Sequence, residues 1–188
     1  EYSLGFSIKN DLKINTKIKF KKIHSRKSLV KIDDGRIVLE VISKKEDNLI
    51  LKALEDAVVI NRKGVNFPGI DLGIKPLTNK DQEHVMLAIN SDVDWLALSF
   101  VMRSSDIEPI LEIYKKENKS LPVIAKIEKP EAIENLDSII NAFDGVLIAR
   151  GDLGVENSLS KLPGLQKLIL EKCRKFKKPV IIATQMLE

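Results

Sequence analysis

Four short apolar runs in the last two thirds of the chain, each closing on polar residues, constrain the fold more than any other feature. They lie at residues 94–100, 121–128, 145–149 and 180–184. Each has the length and composition of a buried strand. Between and around them, residues 77–89, 105–117, 130–143 and 162–176 carry helical patterns. In the second of these, Ile107, Ile110, Leu111 and Tyr114 recur at the spacing of one helix face. Thr78 followed by Asp81 reads as a capping box, and Pro130 suits the first turn of a helix. Alternation of continuous apolar strands with helices predicts an α/β fold on a buried parallel sheet.

Two architectures meet that description, a doubly wound sheet and a (β/α)8 TIM barrel. The strand ends separate them. They carry Ser99, Lys126 with Glu128, Arg150 with Asp152, and Thr184 with Gln185. A barrel collects every strand end around one mouth, where catalytic groups sit. An open sheet concentrates function at a single switch point. Four strands make half a barrel, so the expectation is a partial barrel, its remainder supplied by residues outside this chain. A start at Glu1 instead of Met and an end soon after a strand also suggest a piece of a longer protein.

Residues 1–64 read differently. Partial alternation at 13–20 and strand-like runs at 28–32, 36–42, 48–53 and 57–60 predict a small β-rich domain. Asp33-Asp34-Gly35 between two of those runs is a hairpin signal. Two glycines and a proline within 63–69 suggest a hinge. The expected organisation is therefore a β-rich domain over 1–65 and a partial barrel over 66–188.

Charge follows the same division. Residues 1–64 hold 15 Lys/Arg against 9 Asp/Glu, while residues 65–188 hold 16 against 18. The basic excess of the first segment lacks the aromatic and Arg-rich pattern of base reading. Lysines on exposed strands and edges explain it, and no nucleic-acid partner is expected. No apolar run has transmembrane length, and no signal peptide is visible, so no membrane partner is expected either. Cys173 stands alone, which fits a reducing, cytoplasmic setting.

The polar strand ends carry the chemistry. Lys126 and Glu128 are two apart on a strand and point to the same side. Unsatisfied charge at the end of an apolar strand is costly. Glu128 and Asp152 are hard oxygen ligands of the kind Mg²⁺ takes together with substrate phosphate and water. His24 and His84 lie in unlike contexts, and no zinc pattern is present. Lys126 beside such an ion could neutralise a developing oxyanion or phosphoryl charge. The Arg150-Gly-Asp-Leu-Gly154 stretch reads as flexible backbone whose N–H groups could bind an anion. Thr184 offers a hydroxyl for orientation or proton relay. The plainer alternative is that Lys126 and Glu128 merely neutralise each other at a rim, with Asp152 a turn residue.

At these residues the chain resembles the pyruvate kinase family. Val123-Ile-Ala-Lys-Ile-Glu-Lys-Pro-Glu-Ala-Ile133 matches the family's active-site signature. Ile32-Asp-Asp-Gly35, Arg62-Lys-Gly-Val-Asn-Phe-Pro-Gly69, Ser99-Phe-Val101, Asp144-Gly-Val-Leu-Ile-Ala-Arg-Gly-Asp-Leu-Gly-Val-Glu156 and Lys178-Pro-Val-Ile-Ile-Ala-Thr-Gln-Met-Leu-Glu188 follow in family order. The resemblance implies a lid domain inserted into a (β/α)8 barrel, with residues 66–188 corresponding to about strands four to seven. It implies phosphoryl transfer from phosphoenolpyruvate to ADP, giving pyruvate and ATP in glycolysis. It assigns transition-state stabilisation to Lys126, Mg²⁺ or Mn²⁺ binding to Glu128 and Asp152, and substrate binding to Lys126, Gly151, Asp152 and Thr184. Thr184 joins Lys126 as a catalytic residue. Lys63 falls at a nucleotide-binding position, and Ser99 at a supporting one. K⁺ is a further family ion, and a homo-oligomer, a tetramer, is implied for the complete enzyme. Phe67, Met102 and Asn157-Ser158 depart from the usual family residues, and residues 5–31 match loosely. Two other readings are an aldolase-like Mg²⁺-dependent barrel enzyme acting on a pyruvate enolate and a non-catalytic binding module. The inserted β-domain and its hinge block weigh against the first of these.

Overall fold

The computed structural model describes residues 2–3, 28–45, 48–60, 62–68, 77–157 and 159–184. The strand expected at 13–20 and the residue Gln185 lie outside them. The chain divides into two compact units, Glu1–Ile74 and Lys75–Glu188.

The first unit is built of β-strands. β1 (Tyr2–Ser3) pairs antiparallel with β5 (Val58–Val59). A four-stranded antiparallel sheet has the order β4 (Asn48–Ala53), β3 (Ile37–Lys45), β2 (Leu29–Ile32), β6 (Val65–Asn66). The expected hairpin closes between Ile32 and Ile37, which face each other in register. Asp33, Asp34 and Gly35 all take positive φ, at 54°, 53° and 83°. That run suits Asp and Gly, which tolerate the left-handed region better than bulkier residues do. Val30, Ile32, Ile37, Leu39, Val41, Val59 and Phe67 form the core of this unit.

The second unit is an α/β layer. β7 (Leu96–Leu98), β8 (Val123–Ile127), β9 (Gly145–Ala149) and β10 (Val180–Ala183) form one parallel sheet in sequential order, with no reversal. The helices are α1 (Asn79–Ile89), α2 (Glu108–Glu117), α3 (Pro130–Glu134), α4 (Leu136–Ala142), α5 (Arg150–Glu156) and α6 (Leu162–Lys175). α1 begins where the capping box predicts: the Thr78 hydroxyl accepts from the Asp81 amide, and the Asp81 carboxylate accepts from the Thr78 amide at 2.8 Å.

On β8 burial alternates. Val123, Ala125 and Ile127 pack into the core with Ile110, Ile139, Ile140, Phe143 and Ile169, while Ile124 and Lys126 occupy the other face and are half-buried. Cys173 is in the same core, and burial pushes its thiol up to about 11. The expectation of strands buried on both faces is met on one face only: Ile181 is 46% exposed and Trp95 47%. At the N-terminal end of the sheet, Trp95, Ile124, Gly145, Pro179 and Ile181 line an apolar groove.

Three local expectations are corrected. The helix expected over 130–143 is two helices, because Asn135 leaves helical geometry (φ −102°, ψ 14°) and its amide side chain turns back to the Glu131 carbonyl. Leu111 does not join the buried stripe of α2; it is 48% exposed, while Ile110 and Tyr114 are buried. A 3-10 turn at Ser104–Ile107 precedes α2, so one helical phase does not run through the whole segment. The stretch Arg150–Gly154 is not flexible backbone but the start of α5, anchored by Leu153, which is fully buried.

Candidate active site

Register explains why distant residues meet at the C-terminal edge of the parallel sheet. Leu98 pairs with Ala125, so Ser99, next on the chain, comes level with Lys126. The Lys126 Nζ donates to Ser99 Oγ at 2.8 Å and lies 2.7 Å from Glu128 Oε1. Glu128 is 1% exposed, and its other oxygen, Oε2, accepts from the Phe100 amide at 2.6 Å. Phe100 takes φ 56°, a left-handed conformation that is strained for an aromatic residue. Strain of that kind is found where surrounding structure holds a backbone group to a task, here an amide donor on a buried carboxylate. Both oxygens of Glu128 are thus satisfied, one by an ammonium and one by an N–H, which is what allows this charge to be buried.

The next two strand ends behave alike. Ala183 pairs with Ala149, so Thr184 comes level with the first residues of α5. The Gly151 amide donates to Thr184 Oγ1 at 3.1 Å. Accepting through oxygen leaves the Thr184 O–H a donor. Thr184 also takes positive φ, at 64°. Asp152 is in the first turn of α5, three residues after β9 ends, and is half-buried. Glu128 and Asp152 therefore follow the C-terminal ends of adjacent parallel strands.

No group of three or more His, Cys, Asp and Glu able to hold a metal ion occurs among the described residues. The acidic side chains at these two strand ends are Glu128 and Asp152. An all-oxygen set of two fits a hard divalent ion that fills its other positions from substrate and water.

Lys63 belongs to the first unit. Its Nζ lies 2.8 Å from Asp33 Oδ1, with Arg36 on the other Asp33 oxygen at 3.8 Å. The hydrogen bond from Lys63 holds the Asp33 carboxyl below its ordinary range. The Asp33 amide in turn donates to the Gly64 carbonyl at 3.1 Å, tying the hairpin turn to the segment that carries Lys63.

A family model described as "Pyruvate kinase, barrel domain" matches residues 5–188. The chain belongs to the pyruvate kinase family. It is 43% identical over 159 residues to a pyruvate kinase of Mycobacterium tuberculosis, covering 85% of this chain and 34% of that protein. It is 45% identical over 157 residues to one from Agrobacterium vitis, covering 84% and 32%. A crystal structure of a pyruvate kinase from Cryptosporidium parvum superposes with a TM-score of 0.82 at 33% identity, covering 90% of this chain and 36% of that one. The chain spans about a third of the length of these pyruvate kinase relatives.

Sequence reasoning missed several residues that shape this site. The Phe100 amide is a backbone group and has no residue-type signal. Lys129 and Glu156 form a buried ion pair at 2.6 Å, with side-chain exposures of 20% and 1%. Lys129 and Glu156 fall in two separate sequence blocks, and no pattern in the sequence pairs positions 27 apart. In the first unit, Asp33 reads from the sequence as a turn residue, while its partner Lys63 leads into the neighbouring strand β6. Asp106 is a buried carboxylate that accepts from the Met102 and Arg103 amides at 2.7 and 2.9 Å, so the segment around Met102 is fixed through its backbone.

Proposed function

We propose that this chain is the part of a pyruvate kinase that carries its phosphoryl-transfer site, acting between phosphoenolpyruvate and ADP. The observation that carries the reading is the Lys126 ammonium held between Ser99 and the buried Glu128 at one sheet edge. Family membership turns that arrangement from a rim ion pair into a site with an expected reaction.

In this reading residues 66–188 are about strands four to seven of a (β/α)8 barrel, and residues 1–65 are most of a lid. Sequential strand order supports a barrel over a doubly wound sheet, because a doubly wound sheet reverses order at its switch point. The half-exposed sheet face bearing Ile124 and Ile181 supports a barrel interior whose other strands come from elsewhere in the protein. Family membership also favours this function over an aldolase-like enzyme or a binding module.

Glu128 and Asp152 would hold Mg²⁺ or Mn²⁺, and the ion would supply positive charge against the oxygens of the transferring phosphoryl group. Lys126 is the chain's own counterpart. Its ammonium has three donors, and Ser99 and Glu128 leave it directed at the strand ends, where charge builds as the phosphorus–oxygen bond to the enol breaks. As that bond breaks, the phosphoryl group joins a terminal oxygen of ADP. The enolate left behind becomes pyruvate when its methylene carbon gains a proton. Thr184 would orient substrate and pass that proton through its hydroxyl. The backbone of Gly151 and Asp152 would hold the substrate, and Lys63, in the first unit, is assigned to the nucleotide. K⁺ has no assigned ligand in this chain. Such a reaction is expected in the cytoplasm; no helix among the described residues is long and apolar enough to cross a membrane.

The test is ADP-dependent release of pyruvate from phosphoenolpyruvate by a full-length protein carrying this chain, with and without divalent cation. Pyruvate formation that needs both ADP and the cation supports the reading. A pure, folded full-length protein that releases none overturns it.

A further inference from the structure

We infer that the buried Lys129–Glu156 ion pair is a strut that sets the position of Asp152 relative to Glu128, which makes both of its members positioning residues for the cation site. The inference rests on the assignment of Glu128 and Asp152 as cation ligands.

The argument is geometric. Lys129 directly follows Glu128 at the end of β8, so it moves with the strand end that carries that carboxylate. Glu156 is the last residue of α5, four residues after Asp152. Residues four apart lie on one face of a helix, so whatever holds Glu156 also fixes the face that presents Asp152. Lys129 Nζ lies 2.6 Å from Glu156 Oε1. One contact therefore joins the segment bearing the first carboxylate to the segment bearing the second.

The pair is also placed where it can act as a strut. The Glu156 side chain is 1% exposed and the Lys129 side chain 20%, so water and salt screen the contact little. Buried ion pairs are poor sources of net stability but can fix one arrangement among several. α5 is only seven residues long and has no side-chain cap at its start. The Gly151 amide on Thr184 holds its first turn, and Leu153 and Glu156 hold it further along. Leu153 packing is non-directional, whereas a charged hydrogen bond selects one orientation. A cation bound by only two protein carboxylates depends closely on their separation, since each needs to reach it within a few tenths of an ångström.

The test uses Mn²⁺ as the probe, with its affinity for a full-length protein carrying this chain measured by electron paramagnetic resonance of the free ion. Lys129→Met and Glu156→Gln should each weaken Mn²⁺ binding by roughly 10-fold or more, the scale seen when residues supporting metal ligands are removed. The reciprocal variant, Lys129→Glu with Glu156→Lys, should recover most of that loss. Affinities are compared well below each variant's melting temperature, so that a merely structural role lowers Tm without moving Mn²⁺ affinity. Folded single variants that bind Mn²⁺ as wild type does would overturn the strut, as would a folded reciprocal variant that recovers nothing. If the singles do not fold, Lys129→Arg keeps the charge but shifts its reach. A several-fold weaker Mn²⁺ affinity then supports the strut, and an unchanged one overturns it. Glu128→Gln and Asp152→Asn separate the two levels of the argument. If they too leave Mn²⁺ affinity unchanged, the failure lies with the cation assignment; if they abolish binding while the strut variants do not, it lies with the strut.

Discussion

Lys126 and Glu128 stand two residues apart on one side of β8, and the ammonium of the first lies 2.7 Å from the carboxylate of the second. Glu128 is buried, whereas Lys126 keeps 27% of its side chain exposed at the sheet edge. The cation is thus anchored from below and open to whatever arrives from above. In a full-length enzyme, Lys126→Met should keep much of the stem and remove the charge. Turnover should fall by roughly 10²–10³-fold, the loss seen when one stabilising donor is removed. The KM for phosphoenolpyruvate should change much less, because Glu128, Asp152 and the Gly151 backbone remain. Steady-state kinetics decide it: intact turnover with lost substrate affinity would make Lys126 a binding residue instead.

The isolated 188-residue chain should have little or no kinase activity. One face of its parallel sheet carries half-exposed Ile181, and the outer strands β7 and β10 each pair on one side only among the described residues. Open strand edges invite association. A pyruvate-release assay on the purified chain, with light scattering to follow aggregation, checks this. A rate near that of a complete enzyme would contradict it.

Leu153→Ala should destabilise the second unit by about 2–5 kcal/mol, the range for truncating a fully buried leucine. Leu153 is 0% exposed and ties α5 to the core. Because α5 also carries Gly151 and Asp152, the variant should lose cation affinity as well as stability. Denaturant unfolding of a full-length protein measures the first effect and Mn²⁺ binding the second.

Asp33 should titrate below 3.8, because the hydrogen bond from Lys63 favours its carboxylate. Its folded pKa is lowered, so the contribution of this pair is present above the unfolded value and is lost as pH falls through the folded one. The window lies at and below about pH 4. Carbon-13 chemical shifts of the Asp33 carboxyl should place its midpoint under 3.8, and Lys63→Met should move it up. A midpoint unchanged by that substitution would show that Lys63 does not hold Asp33 in solution.

Local chemistry in the sequence was enough to locate most of the second unit. Four apolar residues after Gly145 mark β9 and Thr78 with Asp81 marks the start of α1, while in the first unit Asp33-Asp34-Gly35 marks the hairpin, because strand burial, capping and left-handed turns are written in neighbouring residues. The same patterns put Ser99, Lys126, Glu128, Asp152 and Thr184 at or just beyond strand ends, where a parallel sheet gathers them. Only tertiary structure decided which of them touch. The Phe100 amide reaches Glu128 across 28 residues, Gly151 reaches Thr184 across 33, and Lys129 finds Glu156 across 27. Each contact depends on strand register and on the path of a helix between strands, which no short window contains. The break at Asn135 and the exposure of Leu111 escaped for the same reason. A helical period says which residues share a face, but neighbouring elements decide where a helix stops and how much of that face is covered.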